Sequence, residues 1–239
     1  MSAVFRALLR AGGNLLEPRI LALVLLPVLG SFVLWTVLAW AFWDAWTGVV
    51  AGTLRTTTVA GWLQDWSAAW IIDYTAVLAV LVAILPAMLV TALVITEIVA
   101  MPVIVSFISA RYHPELPRAA GGSAAGSIAN AVVAITIFAV LWVLTLPLWL
   151  TGIGAVLAPV LTSAFLNQRI FRYDALAEHA SRDEYAQIVG VARMDLFLLG
   201  ILLSLLLYVP LVNLLVPVLS GLAFTHLCLA RLEAMRRGV

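Results

Sequence analysis

The chain has 239 residues, 64% of them hydrophobic and only 10% charged, and its mean hydropathy of +1.13 excludes an ordinary soluble domain. Its net charge of +1 includes 13 cationic side chains, all arginine, set beside apolar runs with no basic stripe interleaved with aromatics, so nucleic acid is excluded as a partner. These numbers describe an integral membrane protein in which lipid, not water, is the main solvent.

Residues 2–17 carry Arg6, Arg10, Asn14 and Glu17 at helical spacing, with Phe5, Leu8, Leu9, Leu15 and Leu16 on the other side. This pattern predicts an in-plane amphipathic helix on the inner leaflet. The apolar run 20–43 follows, about 36 Å long as a helix and therefore able to cross a ~30 Å hydrocarbon core. Ala39-Trp40-Ala41 has a small-x-small form, but the run is longer than a signal peptide's apolar region and is expected to stay uncleaved. From Asp44 to Asp73 the tryptophans, threonines and charges suit a short interfacial segment on the outer side. A second long transmembrane helix is predicted over 75–110, through Pro86, Glu97 and Pro102.

Beyond it the apolar stretches shorten. Ile128–Leu146 and Ala155–Phe165 flank a glycine-containing corner, and Leu196–Val209 and Val218–Leu229 flank Pro210–Pro217. Arms of roughly 11 to 14 residues fall short of a full crossing, which predicts two partially inserted, re-entrant helical hairpins, 128–167 and 196–231, joined by a cytoplasmic connection at 168–194. Pro159-Val160-Leu161-Thr162 echoes Pro217-Val218-Leu219-Ser220, as a repeat or as chance. The expected fold class is thus an all-α integral membrane protein forming one membrane domain, 1–239. It comprises an N-terminal amphipathic helix, two long transmembrane helices and two hairpins. With both termini cytoplasmic, twelve arginines lie inside and only Arg55 outside, in keeping with the positive-inside bias, though four-span and six-span chains give the same count.

Pro18 fits the first turn of the first spanning helix, where Arg19 stands beside open backbone amides. A positive helix end, free N–H groups and a guanidinium make an anion site, for a substrate or for lipid phosphate. Glu17 opposes a dianion there unless it turns away or pairs with Arg10 or Arg19. Glu97, in an apolar run, is a candidate for an ion path or a hydrated structural acid. Asn167 and Asn213 are candidates for the same path or for capping broken helices. His226 reads as a hydrogen-bonded interior histidine, while His113 and His179 are too far apart in sequence to suggest a metal site. Glu178 and Arg182, four apart, read as a solvated helical pair. Cys228 reads as a small buried hydrophobe. No nucleotide-binding, metalloprotease or hydrolase motif is present, and neither an enzyme nor a cofactor is expected.

Three segments taken together resemble the CysZ sulfate permease family, within the etoposide-induced-protein domain superfamily. They are Arg10–Pro27 (RAGGNLLEPRILALVLLP), Phe171–Ser181 (FRYDALAEHAS) and Val209–His226 (VPLVNLLVPVLSGLAFTH). The resemblance covers nearly the whole chain and implies a bacterial inner-membrane protein with two long spanning helices and two inserted hairpins. It further implies homo-oligomeric assembly and sulfate uptake for cysteine synthesis, with the anion site falling on Pro18, Arg19, Ile20 and Leu21. Here the chain carries Glu17-Pro18-Arg19-Ile20 in place of the family's glycine and paired arginines. Two readings result: a permease or channel for sulfate or a related anion, and a membrane scaffold or assembly protein without transport.

Overall fold

Backbone polar groups in hydrocarbon have no water to bond, so a long apolar segment satisfies them within itself as a helix. The structure, a computed structural model, describes residues 2–58, 61, 70–119, 121–210 and 212–238, side chains at 2, 89–90, 93–94, 96–98 and 124 excepted. Among the described residues there is no strand. The helices are α1 (Ser2–Leu15), α2 (Pro18–Arg55), α3 (Trp70–Tyr112), α4 (Ala124–Trp149) and α5 (Ile153–Leu176). They continue with α6 (Arg182–Val191), α7 (Arg193–Leu206), a 3-10 turn (Val212–Leu214) and α8 (Val216–Arg236). Among the described residues five stretches are long and apolar enough to cross a membrane, Pro18–Arg55, Trp70–Met88, Ala125–Trp149, Ile153–Leu176 and Val216–Arg236, and α6 with α7, bent by 72°, makes a sixth if the pair is one span.

Several boundaries differ from expectation. The first long helix does not stop near residue 43: Asp44 to Arg55 continue α2, so this part of the proposed interfacial segment is helical extension. Trp62, Asp65 and Trp66 lie outside the described residues. Pro86 and Pro102 leave α3 unbroken over 43 residues. The arms of the first hairpin are also longer than their apolar stretches. α4 has 26 residues, about 39 Å, and α5 has 24 because its helix runs on through Asn167, Arg169 and Arg172. Pro159 sits inside α5 whereas Pro217 lies in the first turn of α8, so the sequence echo does not mark equivalent turns. The corner before α5 uses Gly152 at φ 70°, a left-handed conformation that costs other residues about 1 kcal/mol or more.

The chain divides into two units, Met1–Val24 with Glu97–Val239, and Leu25–Thr96. In the first, α8 is the central element: 72% of its apolar window is buried inside the protein, against 6% for α4, whose side chains are left for lipid. Leu222, Phe224, Leu227 and Leu229 of α8 are fully enclosed, and Phe224 stacks on Phe171 of α5 at 5.9 Å. Water is not expelled when helices meet in lipid, so close packing of small residues has to hold them. Gly200 of α7 faces Ala164 of α5 so closely that a Cβ there would lie 2.7 Å from the Ala164 carbonyl oxygen.

α1 packs on α8 through a stripe of Val4, Ala7 and Ala11, while Phe5, Leu9 and Leu16 stay exposed. Asn14 belongs to the buried stripe, not the polar face. Its Nδ2 is 2.8 Å from His226 Nε2, and its Oδ1 accepts from the Tyr112 hydroxyl at 2.9 Å. Burial of an amide is tolerable because both ends are bonded.

The connection after α5 is polar and tightly capped. Ser181 and Glu184 form a reciprocal capping box at the start of α6. Arg236 bonds both oxygens of Glu184 and also donates to the carbonyls of Pro117 and His179. Glu178 precedes α6 and faces Arg118 at 3.9 Å, so the helical Glu178–Arg182 pair read from spacing does not form. In the second unit, Ser31 Oγ donates to the Met88 carbonyl at 2.7 Å and Trp35 Nε1 to Thr91 Oγ1 at 3.0 Å. Arg55 pairs with Asp73 at 2.7 Å.

Candidate functional site

The start of α2 is set by proline chemistry. Pro18 needs no hydrogen bond for its ring nitrogen, and the preceding Glu17 supplies the carbonyl that closes the turn. That carbonyl accepts from the Ile20 and Leu21 amides, both at 2.9 Å. The expected row of open amides is therefore reduced: Ile20 and Leu21 are already satisfied, and Ile20 is fully buried. Among the described residues no acceptor meets the Arg19 amide. The anion-binding potential at this helix end thus concentrates on Arg19, its own N–H and the partial positive charge of the terminus.

Arg19 and Ile20 line a cavity of about 400 Å³ in the first unit, together with Ser106, Phe107 and Arg111 from the last turns of α3. Arg111 Nη1 donates to Glu17 Oε1 at 2.7 Å, and its guanidinium lies 5.7 Å from the Phe107 ring centre. Glu17 is therefore turned onto Arg111, and neither Arg10 nor Arg19 is its partner. Arg10 instead lies over the Tyr112 ring at 5.6 Å. Among the described residues no carboxylate pairs with Arg19. Two guanidiniums against one carboxylate leave the local field positive, and that field is strongest within a Debye length of ~8 Å. A planar, permanently charged fork beside a helix start is suited to holding a sulfate-like oxyanion.

The candidate path residues are not gathered here. Asn167 lies inside α5, too far from either end to cap it, and its Nδ2 reaches Ser204 Oγ only at 3.5 Å, a weak contact between α5 and α7. Asn213 is exposed in the 3-10 turn, where its backbone N–H donates to the Val209 carbonyl at 3.1 Å. Glu97 is part of α3, but its side chain lies outside the described residues. Neither asparagine lines the Arg19 cavity. In the sequence Arg111 is one of the twelve arginines expected on the inner side. Its placement four residues after Phe107 was visible in the chain, but its pairing across 94 residues was not.

What the helices build is a multi-pass α-helical membrane protein with a cationic cavity at the head of its first long helix. The chain belongs to the family described as Sulfate transporter CysZ/Etoposide-induced protein 2.4, whose model matches residues 7–217. No curated protein and no solved structure matches the chain.

Proposed function

We propose that this protein is a permease for sulfate or a closely related anion in the bacterial inner membrane, working as a homo-oligomer with both termini cytoplasmic. The observation that carries the reading is Arg19 at the start of α2, lining a cavity of about 400 Å³, with the neighbouring Glu17 engaged by Arg111. An acid beside the site would repel a dianion, and its pairing with Arg111 lessens that repulsion. The family description names sulfate transport, which agrees with this chemistry. Arginine binds the oxyanion on entry, and passage requires that this hold be weak enough to release it. Oligomer formation supplies the additional wall that a narrow chain needs around a hydrated anion.

Sulfate uptake into proteoliposomes tests the proposal, with wild type compared against Arg19→Ala and with chloride and phosphate as competitors. Saturable entry reduced at least tenfold in the variant is expected, since a charged hydrogen bond contributes roughly 1.5–3 kcal/mol. Folded, correctly oriented wild-type protein that moves no more sulfate than empty vesicles overturns it.

A further inference from the structure

A second cationic cavity lies between α1 and α8, apart from the residues that surround Arg19. It measures about 260 Å³ and is lined by Arg6, Arg10, Arg231 and His226, with Ala230 exposed beside them. Among the described lining residues none is acidic. We infer that this cavity is a binding site for a tetrahedral phosphate or sulfate oxyanion, either free or carried on a lipid headgroup.

The stereochemistry of the pocket supports this chemistry. Helical spacing places Arg6 and Arg10 one turn apart on α1, so that both reach the same side of α8. Arg231 also binds Asp195, which orients its guanidinium. Arg10 rests over Tyr112, a contact that holds its side chain without neutralising it.

His226 adds a polar group to the wall. With the Asn14 amide donating to Nε2, the neutral imidazole carries its proton on Nδ1. His226 is only 3% exposed, and its Nδ1 has no partner among the described residues. Arg231 Nε is likewise buried and unpartnered. Both atoms are sealed from the cavity space, so an ion there meets the exposed part of Arg231 and the exposed forks of Arg6 and Arg10 and not these two donors. An oxyanion offers several strong acceptors, and arginine forks match its geometry. At ~30 Å³ per water molecule, the space accommodates such an ion with part of its hydration.

Two probes distinguish the sources of the oxyanion without any measurement of uptake. The first is native mass spectrometry of the full chain carrying phosphatidylglycerol or phosphatidylcholine. The second is thermal unfolding in lipid-free neutral detergent, titrated with inorganic phosphate or sulfate. Each is applied to wild type, Arg10→Gln, Ala230→Glu and Arg19→Ala. Ala230→Glu places a carboxylate at the cavity from an exposed position, so it tests the site even where Arg10→Gln disturbs folding. Selective retention of phosphatidylglycerol, weakened about tenfold in Arg10→Gln and Ala230→Glu but kept in Arg19→Ala, identifies a lipid headgroup. Stabilisation by free phosphate or sulfate with the same variant pattern identifies the soluble ion. If neither probe binds, or if the folded Ala230→Glu variant binds both as wild type does, the inference is overturned.

Discussion

Arg111 donates to the Glu17 carboxylate at 2.7 Å, joining the end of α3 to the residue that closes the first turn of α2. The two side chains are 51% and 35% exposed, so the pair contributes little to stability, about 0–1 kcal/mol. Its larger consequence is for the field at Arg19. Glu17→Gln is expected to lower the apparent KM for sulfate several-fold with little change in melting temperature. Arg111→Gln, which removes a positive charge and releases the acid, is expected to raise KM. Both effects shrink at high ionic strength. Proteoliposome uptake at two salt concentrations measures this, and equal KM values in all three proteins would remove Glu17 from the account.

Much of the helical order was readable because apolar runs in lipid have few alternatives to helix. The first helix's burial pattern was not. Asn14 shares the 3.6-residue period of Arg6 and Arg10, and period alone cannot reveal that His226 and Tyr112 complete its hydrogen bonds from distant parts of the chain. The same blindness applies to Arg111, whose role depends on α3 returning beside the start of α2. Helix ends were misplaced for a different reason. Hydropathy locates where apolar character stops, but backbone hydrogen bonding carries α2 through Asp44 and α5 through Arg172.

The capping of α6 predicts two separable effects of acid. Hydrogen bonding from Arg236 holds the Glu184 carboxyl down at about 2, from an ordinary value near 4.5, despite opposing burial. Its stabilising contribution is complete above the unfolded value and is lost as pH falls from about 4.5 through about 2. Burial pushes His179 below its ordinary 6.5, with Glu178 acting the other way and Arg118, Arg236 and His113 adding to the depression. Stability tied to a neutral His179 is therefore complete above 6.5 and erodes as pH falls below it. Melting temperature measured from pH 8 to pH 3 is expected to lose its upper acid step in His179→Gln and to have a smaller lower step in Glu184→Gln. The latter variant also loses about 1–2 kcal/mol at neutral pH, because the cap and the arginine contact are both weakened. Wild-type profiles in both variants would show that these groups do not set the acid response.

Close approach of α7 to α5 makes Gly200 sensitive to a single methyl group. A Cβ at Gly200 meets the Ala164 backbone at 2.7 Å, whereas one at Gly190 meets nothing within 4 Å. Gly200→Ala is expected to destabilise the protein by about 1–3 kcal/mol through forced separation of the helices. Gly190→Ala is expected to be neutral or to stabilise by up to about 1 kcal/mol, since helix formation restricts glycine most. Unfolding of both variants in one detergent gives the comparison. A Gly200→Ala protein as stable as wild type would mean that the two helices have room to shift.

The α4–α5 corner offers a direct test of whether these helices form a re-entrant hairpin or a pair of crossings. α4 has 26 residues, about 39 Å of helix, which exceeds the ~30 Å hydrocarbon thickness. Apolar side chains along it are largely exposed from the protein, as lipid contact requires. Leu150 is 91% exposed at the corner, and native Cys228 is buried, so Leu150→Cys supplies an accessible thiol against a quiet background. In oriented, sealed membranes, labelling by an impermeant maleimide from one face alone is expected if both helices cross. Labelling only after a detergent opens the membrane would place the corner within the bilayer, as for a partially inserted hairpin. Length favours crossing, because a helix of this reach fits a re-entrant path only by tilting steeply or by projecting into the headgroups.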